Sequence, residues 1–200
     1  MALSYSHCVF EHREILLKDK PVDMLRISPK GTVPILVLND TVLEESRDIL
    51  LWALQRRDSQ SWFYGLHADV QQNIIELIDF NDYKFKPWLD KYKYSVGYPE
   101  QTQAYYRAQC EVFLQSLEFR LQAGVYLLGQ ALTLADIAVF PFIRQFAYVD
   151  THWFEQSDYS CLQRWLTGLL ESRLFHSVMQ KYKPWEMGDA AIIFPECRAE

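Results

Sequence analysis

The sequence lacks paired cysteines. Its four cysteines form no CxxC pair, and none stands at zinc-ligand spacing from a histidine. The common structural zinc sites are therefore excluded, and we expect no metal cofactor. Reduced thiols in a cytoplasmic protein are the simplest interpretation of this pattern. The four residues are Cys8, Cys110, Cys161 and Cys197.

The sequence also lacks a basic cluster, a long apolar segment and an export signal. Its 200 residues carry a formal net charge of −6. Because an acidic chain gains nothing from the release of phosphate counterions, we expect no nucleic-acid partner. The longest apolar run, Ile137 to Ile143, is too short to cross a bilayer, and the N-terminus resembles no signal peptide, so we expect no membrane association.

Residues 1–56 show a mixed pattern of short helices and strands, which predicts a small α/β unit. A strand is predicted from Val9 to Leu17, although its alternation is imperfect. Pro21 is placed to open a short helix, and a second helix is expected to begin near Glu45 and Ser46 and to run through Leu54. Two further short strands are predicted at Pro34 to Leu38 and at Val42 to Leu43; the positions predicted to be buried in the first strand are Val9, Phe10, Ile15 and Leu16.

The rest of the sequence has the periodicity of helices. A polar stretch at residues 57–64 is predicted to be a linker, and residues 65–200 an all-helical domain. The predicted helices span Ala68 to Lys86, Gln103 to Ala123, a segment beginning at Thr133, Leu162 to Leu170, and a short one after Ser172.

The segment from Gly31 to Leu36 holds the first candidate for chemistry. Pro34 cannot donate to a sheet ladder, so one interpretation is a proline at the start of an edge strand. The other is a cis Val33–Pro34 bond, which would leave the backbone of Val33 open to pair with an extended peptide ligand.

The second candidate is the helix start at Glu45 and Ser46. The end of a helix offers unpaired N–H groups and a positive dipole, which suit a carboxylate. The Ser46 hydroxyl adds a donor, and the Glu45 carboxylate could bind an ammonium group. Together they match the head group of an α-amino acid, whereas the alternative is an ordinary N-cap serine with acidic neighbours.

The sequence Thr133-Leu-Ala-Asp136 is a variant of the capping box, in which each end residue bonds the other's backbone N–H. We interpret Thr133 and Asp136 as structural residues that hold a buried helix from Leu134 to Phe146 in place.

Taken in order, these motifs resemble the cytosolic glutathione transferase family. The match consists of Gly-Thr-Val-Pro-Ile-Leu, a hairpin, Glu-Ser at a helix start, and Leu-Thr-Leu-Ala-Asp-Ile-Ala in a helical domain. The segment from Leu17 to Pro21 is similar to the omega-like and related bacterial branches. The resemblance implies a thioredoxin-like N-terminal domain, an all-helical C-terminal domain and a homodimer.

The resemblance also implies a glutathione site. Val33 would pair its backbone with the cysteinyl part of glutathione beside cis-Pro34, while Glu45 and Ser46 would bind the γ-glutamyl ammonium and carboxylate. Lys20 would lie near the glycyl carboxylate, where a cation suits an anionic tripeptide. The alternative for Lys20 is an exposed surface lysine.

One departure from the family concerns the start of the chain. The family begins with a strand inside the sheet and a loop that carries the catalytic residue, whereas residues 1–6 already resemble the back half of the first helix. We therefore expect an N-terminal truncation, with a rearrangement of the domain as the alternative. The catalytic residue is then unknown, and the strand at residues 9–17 needs another partner for its backbone groups. Cys8 is expected to be a buried inert thiol. We do not expect the catalytic role, activation of the nucleophile, to fall to Ser4, Tyr5 or Ser6.

The predicted function is that of a glutathione S-transferase family protein, with a small electrophile or a disulfide as the second substrate. Such a site works by lowering the thiol pKa of glutathione, or by exchange through a protein cysteine of low pKa. The alternative is a non-catalytic binding or regulatory module of the stringent-starvation type. A third interpretation is a fragment with no folded function.

Overall fold

Ten α-helices and two short antiparallel sheets make up the part of the chain that the computed structural model describes, residues 1–194. In chain order the elements are α1 (Ala2–Tyr5), β1 (Phe10–His12), α2 (Val22–Ile27), β2 (Leu36–Val37), β3 (Val42–Leu43), α3 (Ser46–Arg56), α4 (Ala68–Phe80), α5 (Lys86–Lys93), α6 (Gln103–Ala123), α7 (Leu134–Ala147), α8 (Thr151–Gln156), α9 (Ser160–Leu170), α10 (Arg173–Val178) and β4 (Ile192–Phe194).

These elements group into two units. The first unit consists of Met1–Ser59 together with the described residues from Arg173 onward, and the helical unit consists of Gln60–Ser172. The sequence placed residues 173–200 in an all-helical domain, but residues 192–194 form a strand. The last six residues of that predicted domain, including Cys197, lie outside the described residues.

The first unit contains both sheets. β1 pairs antiparallel with β4, so that Phe10 lies opposite Phe194 and His12 opposite Ile192. β2 pairs antiparallel with β3, with Leu36 opposite Leu43. The strand near the N-terminus was expected to need a partner for its backbone groups, and the C-terminal strand β4 supplies it.

The prediction of a strand from Val9 to Leu17 was wrong in its length. The strand spans Phe10–His12 alone, and the side chains of Val9, Leu16 and Leu17 are exposed. A turn follows instead, in which Leu16 and Asp19 form an isolated bridge. The imperfect alternation that made this strand doubtful reflects the change from strand to turn.

The segment that leads into β4, residues 182–194, lies along β1; we call it the C-terminal strap. The backbone N–H of Trp185 donates to the carbonyl oxygen of Glu14 at 2.8 Å, and the Arg13 guanidinium stacks over the Trp185 ring at 4.4 Å. The rings of Phe10 and Phe194 lie 5.3 Å apart. The strap thus contributes both backbone and side-chain contacts to the first unit.

The helical unit follows the predicted periodicity closely. The prediction of a helix from Gln103 to Ala123 is confirmed by α6, and its apolar stripe is buried, as for Cys110, Leu114 and Leu117. The predicted helix from Ala68 to Lys86 is divided, because a π-helix at Asn81–Phe85 joins α4 to α5. The short helix α8 was not predicted.

Two apolar residues lie within the predicted linker. Trp62 and Phe63 are buried in the helical unit, and the carbonyl oxygen of Trp62 accepts the backbone N–H of Leu134 at 3.0 Å. This packing was not predicted, because the neighbouring residues are polar and the segment was interpreted as a linker. Within residues 1–194, no helix combines the length and apolar character that crossing a bilayer requires.

The capping box at the start of α7 is confirmed. Asp136 is completely buried and its carboxylate accepts the backbone N–H of Thr133 at 3.0 Å. It also accepts the backbone N–H of Leu127 at 2.9 Å and the indole N–H of Trp165 at 2.8 Å. Asp136 therefore joins a loop and two helices, α7 and α9, beyond the single cap that the sequence indicated.

Candidate functional site

The loop before β2 contains a cis proline, which was the second of the two interpretations of Pro34. The Val33–Pro34 peptide bond is cis, as predicted. Val33 is 44% exposed, and among the described residues its backbone N–H and carbonyl take part in no backbone–backbone hydrogen bond. An open backbone at the edge of a small sheet is suited to pair with an extended peptide.

A turn at Gly31 sets the direction of this loop. Gly31 has φ of 61°, and its backbone N–H donates to the carbonyl oxygen of Ser28 at 2.9 Å. A Cβ atom at this position would lie 3.1 Å from Leu25 Cδ2 and in a conformation that L side chains rarely adopt. Only glycine fits this turn without strain.

Lys20 lies beside the same turn. Its Nζ atom is 3.8 Å from the position that a Cβ of Gly31 would occupy, and its side chain is half-buried. The structure therefore brings a cation to the loop that carries Val33. The alternative interpretation, a freely exposed surface lysine, does not describe this position.

The start of α3 is fixed to the loop by two contacts that the sequence did not indicate. The buried hydroxyl of Ser28 donates to Glu44 Oε1, and Lys30 Nζ lies 2.7 Å from Glu45 Oε1. The latter contact raises the pKa of Lys30 above its ordinary value, because the Glu45 carboxylate stabilises the ammonium form. Neither Ser28 nor Lys30 belongs to a motif that would have singled it out.

Glu45 is the N-cap of α3 and Ser46 is its first residue. The carbonyl oxygen of Glu45 accepts the backbone N–H of Ile49 at 3.1 Å, which begins the helical hydrogen-bond ladder. The start of a helix offers N–H groups that lack partners within the helix, and Ser46 with its hydroxyl group stands at this start, an arrangement that suits an anion. The Glu45 side chain is exposed and reaches Lys30.

These contacts place a cation, an open backbone segment and a helix N-terminus on connected parts of the first unit. The loop from Ser28 to Val33 contacts Lys20 at its turn, and it contacts the residues before α3 through Ser28 and Lys30. A peptide with a carboxylate at each end and an ammonium group matches this arrangement of charges.

Two hydroxyl groups near the N-terminus are engaged in hydrogen bonds within the first unit. The Tyr5 hydroxyl donates to Asp58 Oδ1 at 3.1 Å, and the buried Ser6 hydroxyl donates to the Arg57 carbonyl oxygen at 2.8 Å. Cys8 is half-buried rather than fully buried, and burial raises the pKa of its thiol. A thiol with a raised pKa contains little thiolate near neutral pH, so the expectation of an inert Cys8 agrees with its surroundings.

A separate cavity of about 440 Å³ lies between α2 and the C-terminal strap and shares no residue with this surface. It is lined by Asp19, Pro21, Val22, Asp23, Arg26, Trp185, Glu186 and Met187. Among residues 1–194, no group of three or more histidine, cysteine or acidic side chains is arranged to hold a metal ion.

Two family models match the sequence. The family described as glutathione S-transferase, N-terminal domain, matches residues 1–61, and the family described as glutathione S-transferase, C-terminal domain, matches residues 100–168. Together the two matches cover well over half of the chain.

A curated relative and several solved structures are similar over most of the chain. Elongation factor 1-gamma of Drosophila melanogaster is 26% identical over 181 residues, which are 88% of this chain but 40% of that protein. This chain thus spans about two fifths of the length of the relative.

The similar structures include a glutathione transferase family member from Pseudomonas fluorescens with two glutathione molecules bound (TM-score 0.76, 17% identity, covering 88% of this chain and 83% of that one). A glutathione transferase from Phanerochaete chrysosporium in complex with oxidized glutathione has a TM-score of 0.75 at 19% identity, covering 88% of this chain and 85% of that one. These likenesses confirm the predicted fold class, a thioredoxin-like domain with a small sheet followed by a helical domain.

Proposed function

The chain belongs to the glutathione S-transferase family, and we propose that its first unit binds glutathione along the surface formed by Lys20, Val33, Pro34, Glu45 and Ser46. The observation that carries this proposal is the cis Val33–Pro34 bond, at which Val33 is 44% exposed and makes no backbone–backbone hydrogen bond among the described residues. The family membership and the similar structures that contain glutathione support it.

Each end of glutathione has a matching group in this proposal. The backbone of Val33 pairs with the cysteinyl residue, as a short strand pairs with a sheet edge. The γ-glutamyl carboxylate accepts the Ser46 hydroxyl and the first N–H groups of α3, and the helix dipole adds to this interaction. Lys20 provides a cation for the glycyl carboxylate.

Glu45 has to exchange partners in order to bind the γ-glutamyl ammonium group. Its carboxylate is paired with Lys30 at 2.7 Å in the free protein. Because both side chains are exposed, this ion pair is weak and is readily exchanged. The ammonium group of the ligand therefore competes with Lys30 for Glu45.

Titration calorimetry with glutathione tests the binding proposal. We expect weak binding by the wild type, and a further loss with Ser46→Ala of about 1.5–3 kcal/mol, or about tenfold or more in affinity, since a hydrogen bond to a charged carboxylate is removed. Ser59→Ala is the matched control, because Ser59 is exposed in the same unit and outside the proposed surface. Equal affinities for the two variants would contradict the assignment of Ser46.

A second titration tests the role of Glu45. The ligand is an analogue in which a glutaryl group replaces the γ-glutamyl residue, so that the ammonium group alone is missing. We expect Glu45→Gln to weaken the binding of glutathione and to leave the binding of the analogue nearly unchanged. A loss of the same size for both ligands would assign Glu45 to some other role.

Transfer of glutathione to an electrophile, or its exchange with a disulfide, is the activity that the family implies. A second candidate is glutathione binding without thiol activation, which the environment of the N-terminal residues favours. The hydroxyl groups of Tyr5 and Ser6 donate to groups of the protein itself, and the pKa of Cys8 is raised by burial. The likeness to a protein named as an elongation factor also supports the second candidate.

Conjugation of glutathione to a chloronitrobenzene separates the two candidates. Under the second candidate this chain shows a rate near that of free glutathione even when the titrations show binding. A rate well above background that survives Cys8→Ser would support the transferase activity and exclude the Cys8 thiol. A rate abolished by that substitution would contradict our interpretation of Cys8.

We further propose that the chain forms a homodimer in the cytoplasm. The family resemblance supports the dimer, and the free thiols of Cys8, Cys110 and Cys161 suit a reducing compartment. The assignment to the omega-like branch stays a prediction.

A further inference from the structure

The cavity between α2 and the C-terminal strap has no part in the proposed glutathione surface. Its volume of about 440 Å³ lies in the range of small-molecule sites, about 300–1,000 Å³. Three of its lining side chains end in a carboxylate and one in a guanidinium, so the formal charge of the wall is −2. The apolar part of the wall comes from both sides and consists of Pro21, Val22, Trp185 and Met187. Such a lining suits a cation that carries apolar groups.

Two of the three carboxylates of the cavity are left without a bonding partner. Within residues 1–194, the side chains of Asp19 and Glu186 make no hydrogen bond and no ion pair. Asp23, by contrast, pairs with Arg26 at 3.2 Å. Asp19 belongs to the turn before α2 and Glu186 to the strap, so each side of the cavity contributes one unpaired carboxylate.

Two cations of the strap and of its partner strand are bound to other carboxylates. Arg13 pairs with Glu11 at 2.8 Å, and Lys183 pairs with Asp189 at 2.7 Å. The second pair raises the pKa of Lys183 and lowers that of Asp189, because each charge stabilises the other. The two lysines that flank Asp19 in the chain do not line the cavity. The carboxylates of the cavity are therefore available to a cation from outside.

Trp185 adds an aromatic surface that attracts cations. The Arg13 guanidinium stacks over its ring at 4.4 Å, although Arg13 does not line the cavity. The face of an aromatic ring attracts a cation through its quadrupole, and tryptophan does so most strongly. The strap is also held in place here, because the backbone N–H of Trp185 donates to the Glu14 carbonyl oxygen at 2.8 Å and that of Glu186 to Asp189 Oδ2 at 2.9 Å. A wall that is already fixed loses little conformational freedom on binding.

We propose that this cavity binds an aliphatic polyamine, with an ammonium group at each of Asp19 and Glu186 and its methylene chain along Trp185. Two ammonium groups balance the formal charge of −2 and match the placement of one unpaired carboxylate on each side. The methylene groups bury apolar surface between them, which a bare metal ion cannot do. Among residues 1–194, these carboxylates also form no group that could hold a metal ion. The inference is independent of glutathione binding.

Titration calorimetry with spermidine tests the site, in about 0.15 M salt so that charges more than about 8 Å apart are screened. We expect saturable binding of spermidine, and weaker binding both of butylamine, which has a single ammonium group, and of Mg²⁺, which has no apolar chain. Asp19→Asn and Glu186→Gln should each weaken the binding of spermidine about two- to fivefold, and together about tenfold or more, since each removes an exposed ion pair. Asp40→Asn is the matched control, because Asp40 is exposed in the same unit, carries the same charge and lies outside the cavity.

Three outcomes would overturn the inference. A wild type that does not bind spermidine would exclude the site, and Mg²⁺ binding as tight as that of spermidine would show only a general attraction of cations to an acidic chain. An equal loss with Asp40→Asn and with Glu186→Gln would place the binding outside the cavity. Because Asp19, Asp40 and Glu186 are exposed, circular dichroism should show an unchanged fold for the variants. The glutathione titration, carried out without spermidine, separately decides the proposed function.

Discussion

The indole N–H of Trp165 donates to a carboxylate oxygen of Asp136 across 2.8 Å in the interior of the helical unit. Asp136 is the third residue after the N-cap Thr133, and Trp165 belongs to α9. Burial raises the pKa of Asp136, while the hydrogen bonds it accepts act in the opposite direction. A local helix cap is thereby also a connection between two helices.

Asp136→Asn should destabilise the helical unit more than an ordinary cap substitution. Donors from Leu127, Thr133 and Trp165 point at the carboxylate, and an amide has one acceptor oxygen in place of two. At least one buried donor loses its partner, at a cost of about 1–3 kcal/mol. Urea denaturation measures the change, and a free energy of unfolding equal to that of the wild type would contradict the buried network.

Glu118→Ala should destabilise the start of α9. The carboxylate of Glu118 accepts the backbone N–H groups of Cys161 at 3.1 Å and Leu162 at 2.8 Å. Both donors lose this acceptor in the variant, which predicts a loss of about 2 kcal/mol in urea denaturation. Gln122→Ala, at an exposed position of the same helix, is the control and should change stability little.

The Cys110 thiol should be inert in the native protein. It is completely buried, and burial raises its pKa to about 12, so the reactive thiolate is scarce at pH 8. Treatment with a disulfide reagent followed by peptide mapping should find Cys161 modified well before Cys110. In urea both should react at similar rates, and rapid native modification of Cys110 would contradict its burial.

Phe194→Ala should destabilise the first unit. The Phe194 side chain is buried and packs on Phe10 with ring centroids 5.3 Å apart, so its truncation is expected to cost about 3 kcal/mol. Ile193→Ala is the control in the same strand, because Ile193 is 46% exposed and should cost far less. Urea denaturation gives the free energy of unfolding of both variants, and hydrogen exchange at residues 10–12 reports on the pairing of β1. Equal losses would show that β4 contributes little.

Several features could be predicted because their causes are local. The capping box of Thr133 and Asp136 depends on residues three apart, and the helix from Gln103 to Ala123 follows from the period of its apolar residues. The cis Val33–Pro34 bond and the helix start at Ser46 were likewise indicated by short motifs. In each case the physical cause lies within a few residues of the chain.

Other features depended on residues far apart in the sequence, which no local pattern relates. β1 pairs with a strand 180 residues away, Ser28 donates to Glu44, and the Glu45 carboxylate is already occupied by Lys30. The sequence by itself determined the mixed and helical halves, the cap of α7 and the candidate residues for glutathione. The tertiary structure alone decided which segment supplies the partner of β1 and which cation pairs with Glu45, because such pairings are settled only when distant segments meet.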